Sequence, residues 1–177
     1  MGGQKLLLPL HGRPIVRWSV EALRAHVDDL VVVTGGGGDA VRAALDGLAI
    51  RFAENPRPEN GQGTSIAAGV AALHPGVEAV IIALGDQPRT SPHVVPALLA
   101  AWRRSGKPIV APVYRGVQGT PVLFAAEVFP ELRALTGDAG ARGVVAARSE
   151  RVERVAFDAE MPPDVDTPED FARLHVE

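Results

Sequence analysis

Short apolar runs rich in β-branched residues recur along this chain, and segments with apolar residues at helical spacing lie between them. The runs predict strands buried on both faces, over residues 30–33, 80–84, 109–113, 121–124 and 152–157. The spacing predicts helices over residues 15–26, 40–48, 65–73, 94–102 and 168–174. Strands that alternate with helices favour right-handed crossovers. The sequence therefore predicts an α/β fold with a three-layer, doubly wound, mostly parallel sheet.

No internal repeat or linker divides the chain. At 177 residues it is long enough to bury a substantial core, so we expect residues 1–177 to form a single domain. The four glycines at 35–38 have the composition of a linker, but they stand where a strand should pass into a helix. We therefore expect a tight strand–helix turn there.

Composition and charge exclude several classes of function. The chain has 18 Lys and Arg against 21 Asp and Glu, a net charge of −3, and no cysteine. It lacks the basic field that grips nucleic acid, and it offers neither a disulfide nor a thiolate. No apolar stretch reaches membrane-spanning length, and the first residues lack the apolar core that is typical of a signal peptide. We expect a cytoplasmic protein that binds neither nucleic acid nor membrane.

Two acidic turns are the strongest chemical signals. The apolar run at 80–82 leads to Asp86, and Asp164 and Asp166 lie near the end of the chain. Mg²⁺ needs only one or two protein carboxylates when phosphates and water complete its shell. The alternatives are local: Asp86 starts a turn, and Thr167 caps a helix whose first residue is Pro168. A cap explains the residues from Thr167 onward but leaves Asp164 and Asp166 unexplained.

Three glycine-rich segments have the character of anion-binding loops. Gly2 and Gly3 precede Lys5, a candidate phosphate ligand. Residues 59–66 and 136–143 both pass from a turn into a helix, where exposed backbone N–H groups favour phosphate. For Thr64 or Ser65 taken singly, helix capping is the stronger interpretation. Arg142 has two alternatives, a pair with Asp138 or a contact with a substrate phosphate.

The order of these segments resembles the nucleotidyltransferases of molybdenum-cofactor biosynthesis, in the cytidylyltransferase-like branch of the MobA-like superfamily. The resemblance runs over the whole chain and rests on six motifs, at residues 1–10, 60–65, 84–88, 119–124, 137–142 and 164–170. Members of that family open with a strand and a Leu-Ala-Ala-Gly loop before the Met-Gly that is Met1-Gly2 here. The resemblance therefore implies a Rossmann-like fold that lacks its usual first strand.

The resemblance also implies roles for particular residues. It implies catalytic roles for Lys5, Asp86 and Asp166, with Mg²⁺ held by Asp86 and Asp166. The implied nucleotide-binding residues are Gly2, Gly3, Lys5, Gly61, Gly63, Ser65 and Asp86. The implied acceptor-binding residues are Gly119, Thr120, Pro121, Asp138 and Arg142.

The implied reaction is Mg²⁺-dependent transfer of a nucleoside monophosphate, with CMP favoured, from CTP or GTP to the phosphate of a molybdopterin-type acceptor. Pyrophosphate leaves. Contacts with a molybdoenzyme or a maturation factor would follow. The alternatives are transfer to a sugar phosphate or other small phosphate, and an accessory protein that binds nucleotide without turnover. A few proteins similar to this branch are oxidoreductases, but no Gly-x-Gly-x-x-Gly enters the first helix to support a dinucleotide.

Overall fold

Helices and strands alternate along the computed structural model, which describes residues 2–138 and 140–174. The helices in these residues are α1 (Ile15–Arg24), α2 (Asp39–Ala44), α3 (Gln62–Ala71), α4 (Val94–Ser105), α5 (Phe129–Arg133), α6 (Gly140–Ala147) and α7 (Pro168–Arg173). The strands are β1 (Pro9–Leu10), β2 (Arg13–Pro14), β3 (Val31–Thr34), β4 (Arg51–Glu54), β5 (Ala79–Ile82), β6 (Ile109–Tyr114), β7 (Val117–Gln118), β8 (Val122–Ala125) and β9 (Val152–Phe157). A 3-10 segment, Gly2–Leu7, precedes β1.

The larger sheet contains β5, β8, β6 and β9 in that spatial order, with the short β7 beside the end of β6. β8 runs antiparallel to both β5 and β6, whereas β9 runs parallel to β6. It follows that β5, β6 and β9 share one direction and that β8 runs against them. β3 and β4 form a separate parallel pair. The predicted mixed α/β fold with a mostly parallel sheet is confirmed.

Helices cover both faces of the larger sheet. Successive side chains of a strand point to opposite faces, and β6 separates its residues in this way. Ile109 and Ala111 pack with the buried residues of α3, α5 and α6. Val110 and Tyr114 pack with those of α4, including Leu98. The three layers predicted from the alternating pattern are therefore present.

A cavity of about 1370 Å³ lies between β3 and β5 and is lined largely by apolar side chains, among them Val32 and Ile81. Among the described residues β3 pairs only with β4 and β5 only with β8, so one edge of each strand has no ladder partner. The two sheets are thus separated at this point.

Several short elements were not predicted, among them β7, the hairpin of β1 and β2, and α5. The hairpin of β1 and β2 has two residues in each strand, and α5 has five residues. Both are too short to show a hydrophobic period in sequence. Within the described parts of the chain, no helix combines the length and the apolar character that crossing a bilayer requires.

Candidate active site

Lys5, Asp86 and Asp166 meet in one cluster. Lys5 lies in the 3-10 segment, Asp86 follows β5 across a short turn, and Asp166 precedes α7. The Lys5 Nζ donates to Asp86 Oδ2 at 2.7 Å and to Asp166 Oδ1 at 2.7 Å. The Lys5 and Asp86 side chains are mostly covered, whereas the Asp166 side chain is 65% exposed. The cluster therefore opens to solvent on the Asp166 side.

The charges of this cluster act on one another. Burial alone would lower the pKa of Lys5. The hydrogen bonds and negative charges of Asp166 and Asp86 outweigh burial and raise that pKa above its usual value of 10.5. Lys5 therefore carries a positive charge at neutral pH. Its ammonium lies between two carboxylates that are distant in sequence.

Backbone and apolar contacts bring the segment of Asp166 to the turn of Asp86. The backbone N–H of Val165 donates to the carbonyl oxygen of Asp86 at 3.2 Å. The Val165 side chain is fully buried with Leu10 and Ile15. These contacts fix the approach of the two acidic turns.

Helix α7 begins with the cap that the sequence allowed as an alternative. The Thr167 Oγ1 accepts from the backbone N–H of Asp170, and the Asp170 carboxylate accepts from the backbone N–H of Thr167. This capping box occupies Thr167 and Asp170, and it leaves Asp164 and Asp166 outside the helix. Helix capping by Thr167 is therefore compatible with a role for Asp166 as a metal-binding carboxylate.

Gln87 is a buried residue of the site that sequence reasoning missed. It is 2% exposed. Its Nε2 donates to Asp164 Oδ1 at 2.7 Å and to the carbonyl oxygen of Pro162 at 3.3 Å, and its Oε1 accepts from Thr120 Oγ1 at 2.5 Å. One amide thus joins the turn of Asp86, the turn of Thr120 and the acidic segment near the end of the chain. No local pattern signals such a residue, because its partners are 33 to 77 positions away.

Asp164 supports this junction, and within the described part of the chain no hydrogen bond or ion pair joins it to Lys5. Partial burial raises the pKa of Asp164, and the charges of Asp86 and Asp166 raise it further, while the Gln87 hydrogen bond lowers it. Asp164, left unexplained by the sequence, is the residue through which Gln87 holds the acidic segment.

The two glycine-rich loops at 59–66 and 136–143 pack against each other. The N–H of Gly63 donates to the carbonyl oxygen of Gly137 at 2.8 Å. The N–H of Gly137 donates to the carbonyl oxygen of Asn60 at 2.9 Å. Gly61 has a φ of +90°, and a Cβ there would lie 2.4 Å from the carbonyl carbon of Gly137. Only glycine allows this approach of the two backbones.

The start of α3 corrects one prediction. Helix α3 begins at Gln62 with Gly61 in the N-cap position, so neither Thr64 nor Ser65 caps it. The buried Asn55 instead donates to Thr64 Oγ1 at 2.8 Å and to Ser65 Oγ at 3.0 Å. The flexible Gly61 supplies the turn into the helix, and the hydroxyls inside the first turn tie that helix to the end of β4.

The predicted acceptor residues fall in two places. Thr120 is joined to the junction through Gln87, and the peptide bond between Thr120 and Pro121 is cis. Gly119 lies against the Tyr114 ring and the Met161 sulfur. Asp138 and Arg142 lie with the glycine loops, and no ion pair joins them among the residues described. Their neighbour Ala139 lies outside the described residues.

The remaining glycines have structural placements. Gly2 and Gly3 form the start of the 3-10 segment that carries Lys5. Gly38 is the N-cap residue of α2, which confirms the predicted turn at 35–38, and a Cβ there would lie 2.6 Å from the Thr34 side chain.

The histidines form no catalytic arrangement among the described residues, where they are His11, His26, His74 and His93. The fifth, His175, lies outside those residues.

The carboxylates of Asp86 and Asp166 fit a divalent cation. Both bind the same ammonium at 2.7 Å, so their oxygens are separated by no more than twice that distance. Within residues 2–138 and 140–174, no group of three or more His, Asp and Glu could hold a metal by itself. Two carboxylates are the donor set that Mg²⁺ uses when phosphate oxygens and water supply the other ligands.

Comparison with known proteins decides the family. The model of the MobA-like NTP transferase domain matches residues 1–153. The chain belongs to the MobA-like NTP transferase family. It is therefore a nucleotidyltransferase by family, as the six motifs predicted.

Three relatives of this MobA-like chain match nearly all of it. The purine catabolism protein PucB of Bacillus subtilis is 30% identical over 97% of this chain and 87% of its own length. The nicotine blue oxidoreductase of Paenarthrobacter nicotinovorans is 32% identical over 97% and 88%. The manganese complex of Rv0371c from Mycobacterium tuberculosis has a TM-score of 0.84 at 31% identity, covering 99% of this chain and 94% of that one. The manganese complex and the family together indicate a divalent metal.

Proposed function

We propose that this MobA-like chain transfers a nucleoside monophosphate, with CMP favoured, from a nucleoside triphosphate to the phosphate of a molybdopterin-type acceptor and releases pyrophosphate. We also propose that Mg²⁺ is its metal and that residues 1–177 act as a single domain. The observation that carries the proposal is the Lys5 ammonium between Asp86 and Asp166. The cluster combines a cation for phosphate oxygens with two carboxylates for a metal.

Asp86 and Asp166 would hold Mg²⁺, and that ion would neutralise charge that develops on the reacting phosphate. Lys5 would donate to phosphate oxygens of the triphosphate and stabilise the leaving pyrophosphate. Gln87 and Asp164 would keep the carboxylates of Asp86 and Asp166 close to each other. No general base is required, because an acceptor phosphate is already ionised at neutral pH.

The other predicted residues have two proposed roles. Residues Gly61, Gly63 and Ser65, with Gly2 and Gly3, would bind nucleotide. Residues Gly119, Thr120, Pro121, Asp138 and Arg142 would bind the acceptor. The contact between Gly61 and Gly137 supports a shared boundary between the nucleotide and acceptor sides.

The test is pyrophosphate release in Mg²⁺ with CTP, GTP or ATP and molybdopterin. We expect release with CTP, and a loss of about 10²-fold or more in Asp86→Asn and in Asp166→Asn, because each would remove charge that stabilises the transition state. Asp158→Asn is the matched control, since Asp158 is fully exposed and its one ion pair among the described residues is with Arg115 at 3.5 Å. Wild-type turnover in both site variants would refute the metal role.

Other outcomes separate the alternatives. Release with a sugar 1-phosphate in place of molybdopterin would assign a different acceptor. Nucleotide binding without release would favour an accessory role. Because one relative is named an oxidoreductase, NAD(P)H titration belongs in the same assay, and saturable binding would favour redox chemistry.

A further inference from the structure

Lys5 occupies the position between the two carboxylates that a metal ion would need. Each of the bonds from Lys5 Nζ to Asp86 and Asp166 is 2.7 Å long, and both reach the same nitrogen. Among the ion pairs of the described residues, no other cation contacts either carboxylate. The ammonium therefore neutralises one of the two negative charges of the pair.

A divalent cation bound by the same two oxygens could not share that space with the ammonium. The two positive charges would repel each other strongly at such a short separation unless an anion lay between them. Lys5 has a flexible four-carbon stem with three donors at its end, and the cluster is open on the Asp166 side. The ammonium can therefore leave the carboxylates without a change in the fold.

We infer that Lys5 and the divalent cation compete for Asp86 and Asp166, and that nucleotide phosphate relieves the competition by accepting the ammonium. The inference rests on the proposed function and adds to it a coupling between metal binding and nucleotide binding. Free metal binds weakly because it must displace Lys5 into solvent. Metal with nucleotide binds tightly because the displaced ammonium gains phosphate oxygens. Metal and nucleotide thus raise each other's affinity, as linkage requires.

The first test measures the affinity of the protein for Mn²⁺, with the concentration of free ion determined by electron paramagnetic resonance. Without nucleotide, we expect Lys5→Met to bind Mn²⁺ about tenfold or more tightly than wild type, a factor that corresponds to about 1.4 kcal/mol. With a non-hydrolysable CTP analogue, the advantage should disappear or reverse, since the variant cannot donate to phosphate. Lys107→Met is the control, because Lys107 pairs with Glu153 on β9.

A second test uses unaltered protein. The chain contains only two lysines, Lys5 and Lys107, so isotope-labelled lysine gives two side-chain signals by NMR. Addition of Mg²⁺ should shift the Lys5 signal and leave the Lys107 signal in place. Addition of the CTP analogue should shift the Lys5 signal again. This readout does not depend on the folding of a variant.

The results distinguish this inference from the proposed function. If Lys5→Met binds free Mn²⁺ no more tightly than wild type, or if Mg²⁺ leaves the Lys5 signal unchanged, the competition is refuted. Loss of pyrophosphate release in the aspartate variants would still support the proposed function. If Mn²⁺ fails to bind even with nucleotide, both are refuted.

Discussion

Gln87 shows how one side chain determines the geometry of this site. An amide carries a donor and an acceptor, so it can join a hydroxyl to a carboxylate, which neither partner could do alone. With 2% exposure it has no access to bulk water. Removal of the amide would leave the Asp164 carboxylate and the Thr120 hydroxyl without their partner in a partly buried place.

We expect Gln87→Leu to lower the free energy of unfolding by about 1–3 kcal/mol, the cost of leaving such polar groups unsatisfied. Gln118→Leu on β7 is the control, since Gln118 is half-buried and its side chain makes no hydrogen bond among the described residues. Urea unfolding of both variants measures the difference. Equal free energies of unfolding for the two variants would show that the hydrogen bonds of Gln87 do not stabilise the fold.

The pair of Asp29 and Arg51 gives a pH dependence at the residue scale. The hydrogen bond from Arg51 lowers the pKa of Asp29 below its usual value of 3.8. A lowered carboxyl pKa stabilises the fold above the unfolded-state pKa, and this stabilisation is lost as the pH falls through the folded-state pKa. Wild type should therefore unfold at higher urea than Asp29→Asn near neutral pH.

That difference should shrink when the pH falls below about 3.8. Asp28→Asn is the matched control, because Asp28 is exposed and forms no ion pair among the described residues. Urea midpoints measured from pH 7 to pH 2.5 test the prediction. An equal effect of the two substitutions at neutral pH would contradict it.

At the scale of elements, the contact between the two glycine loops is a close approach of backbones. Gly61 and Gly76 both have a φ near +90°. A Cβ at Gly61 would meet Gly137 at 2.4 Å, whereas a Cβ at Gly76 would meet no atom within 4 Å. Alanine at Gly76 therefore carries only the backbone cost of a positive φ. Alanine at Gly61 carries that cost and, in addition, the cost of moving the two loops apart.

We expect Gly61→Ala to destabilise the protein by about 1–3 kcal/mol more than Gly76→Ala, since overpacking adds to the cost of the positive φ. It should also weaken nucleotide binding, because the loops would move apart. Thermal unfolding and titration with the CTP analogue measure the two effects. Equal destabilisation by both substitutions would show that the loop contact contributes nothing.

The open edges of β3 and β5 make a second prediction for elements. Alternate backbone amides of an edge strand have no ladder partner, whereas β6 pairs on both edges. Amides of β3 and β5 that face the cavity should therefore exchange their hydrogens at least tenfold faster than those of β6. Exchange measured by NMR tests this. Uniform protection across the three strands would mean that the cavity edges are covered.

The elements also show how far sequence reasoning reached. Helices α1 and α4 begin at the predicted residues, Ile15 and Val94, because each has a long apolar period. Strand β9 has the predicted bounds. Helix α3 begins three residues before its predicted start, because Gly61 rather than a hydroxyl residue turns the chain. Short elements such as α5 carry too few residues to reveal a period.

For the site, the sequence predicted the residues that follow strand ends and lie in glycine-rich turns. Lys5, Asp86 and Asp166 belong to this kind, and the structure brings them together, although their roles remain a proposal. Gln87 and Asn55 could not be predicted, because what defines them is contact with segments brought near by folding. Such contacts leave no periodic or spacing signal in the chain.

At the scale of the molecule, the site depends on both ends of the chain. Lys5 and Asp166 are 161 positions apart, and the segment of Asp166 is held through Val165 and Gln87. The cavity of about 1370 Å³ lies between two strand edges, and its lining includes Leu6 and Gly85, the chain neighbours of Lys5 and Asp86, but neither these two charged residues nor Asp166. Charge and hydrogen bonding, rather than cavity size, therefore identify the candidate active site.

The central claim is that Asp86 and Asp166 bind one divalent cation beside Lys5. The most direct measurement is an anomalous-scattering map from crystals grown with Mn²⁺ and the CTP analogue. The account predicts a manganese peak within coordination distance of both carboxylates, with the Lys5 ammonium on a phosphate oxygen. A peak away from these carboxylates, with Lys5 still bonded to both, would contradict it.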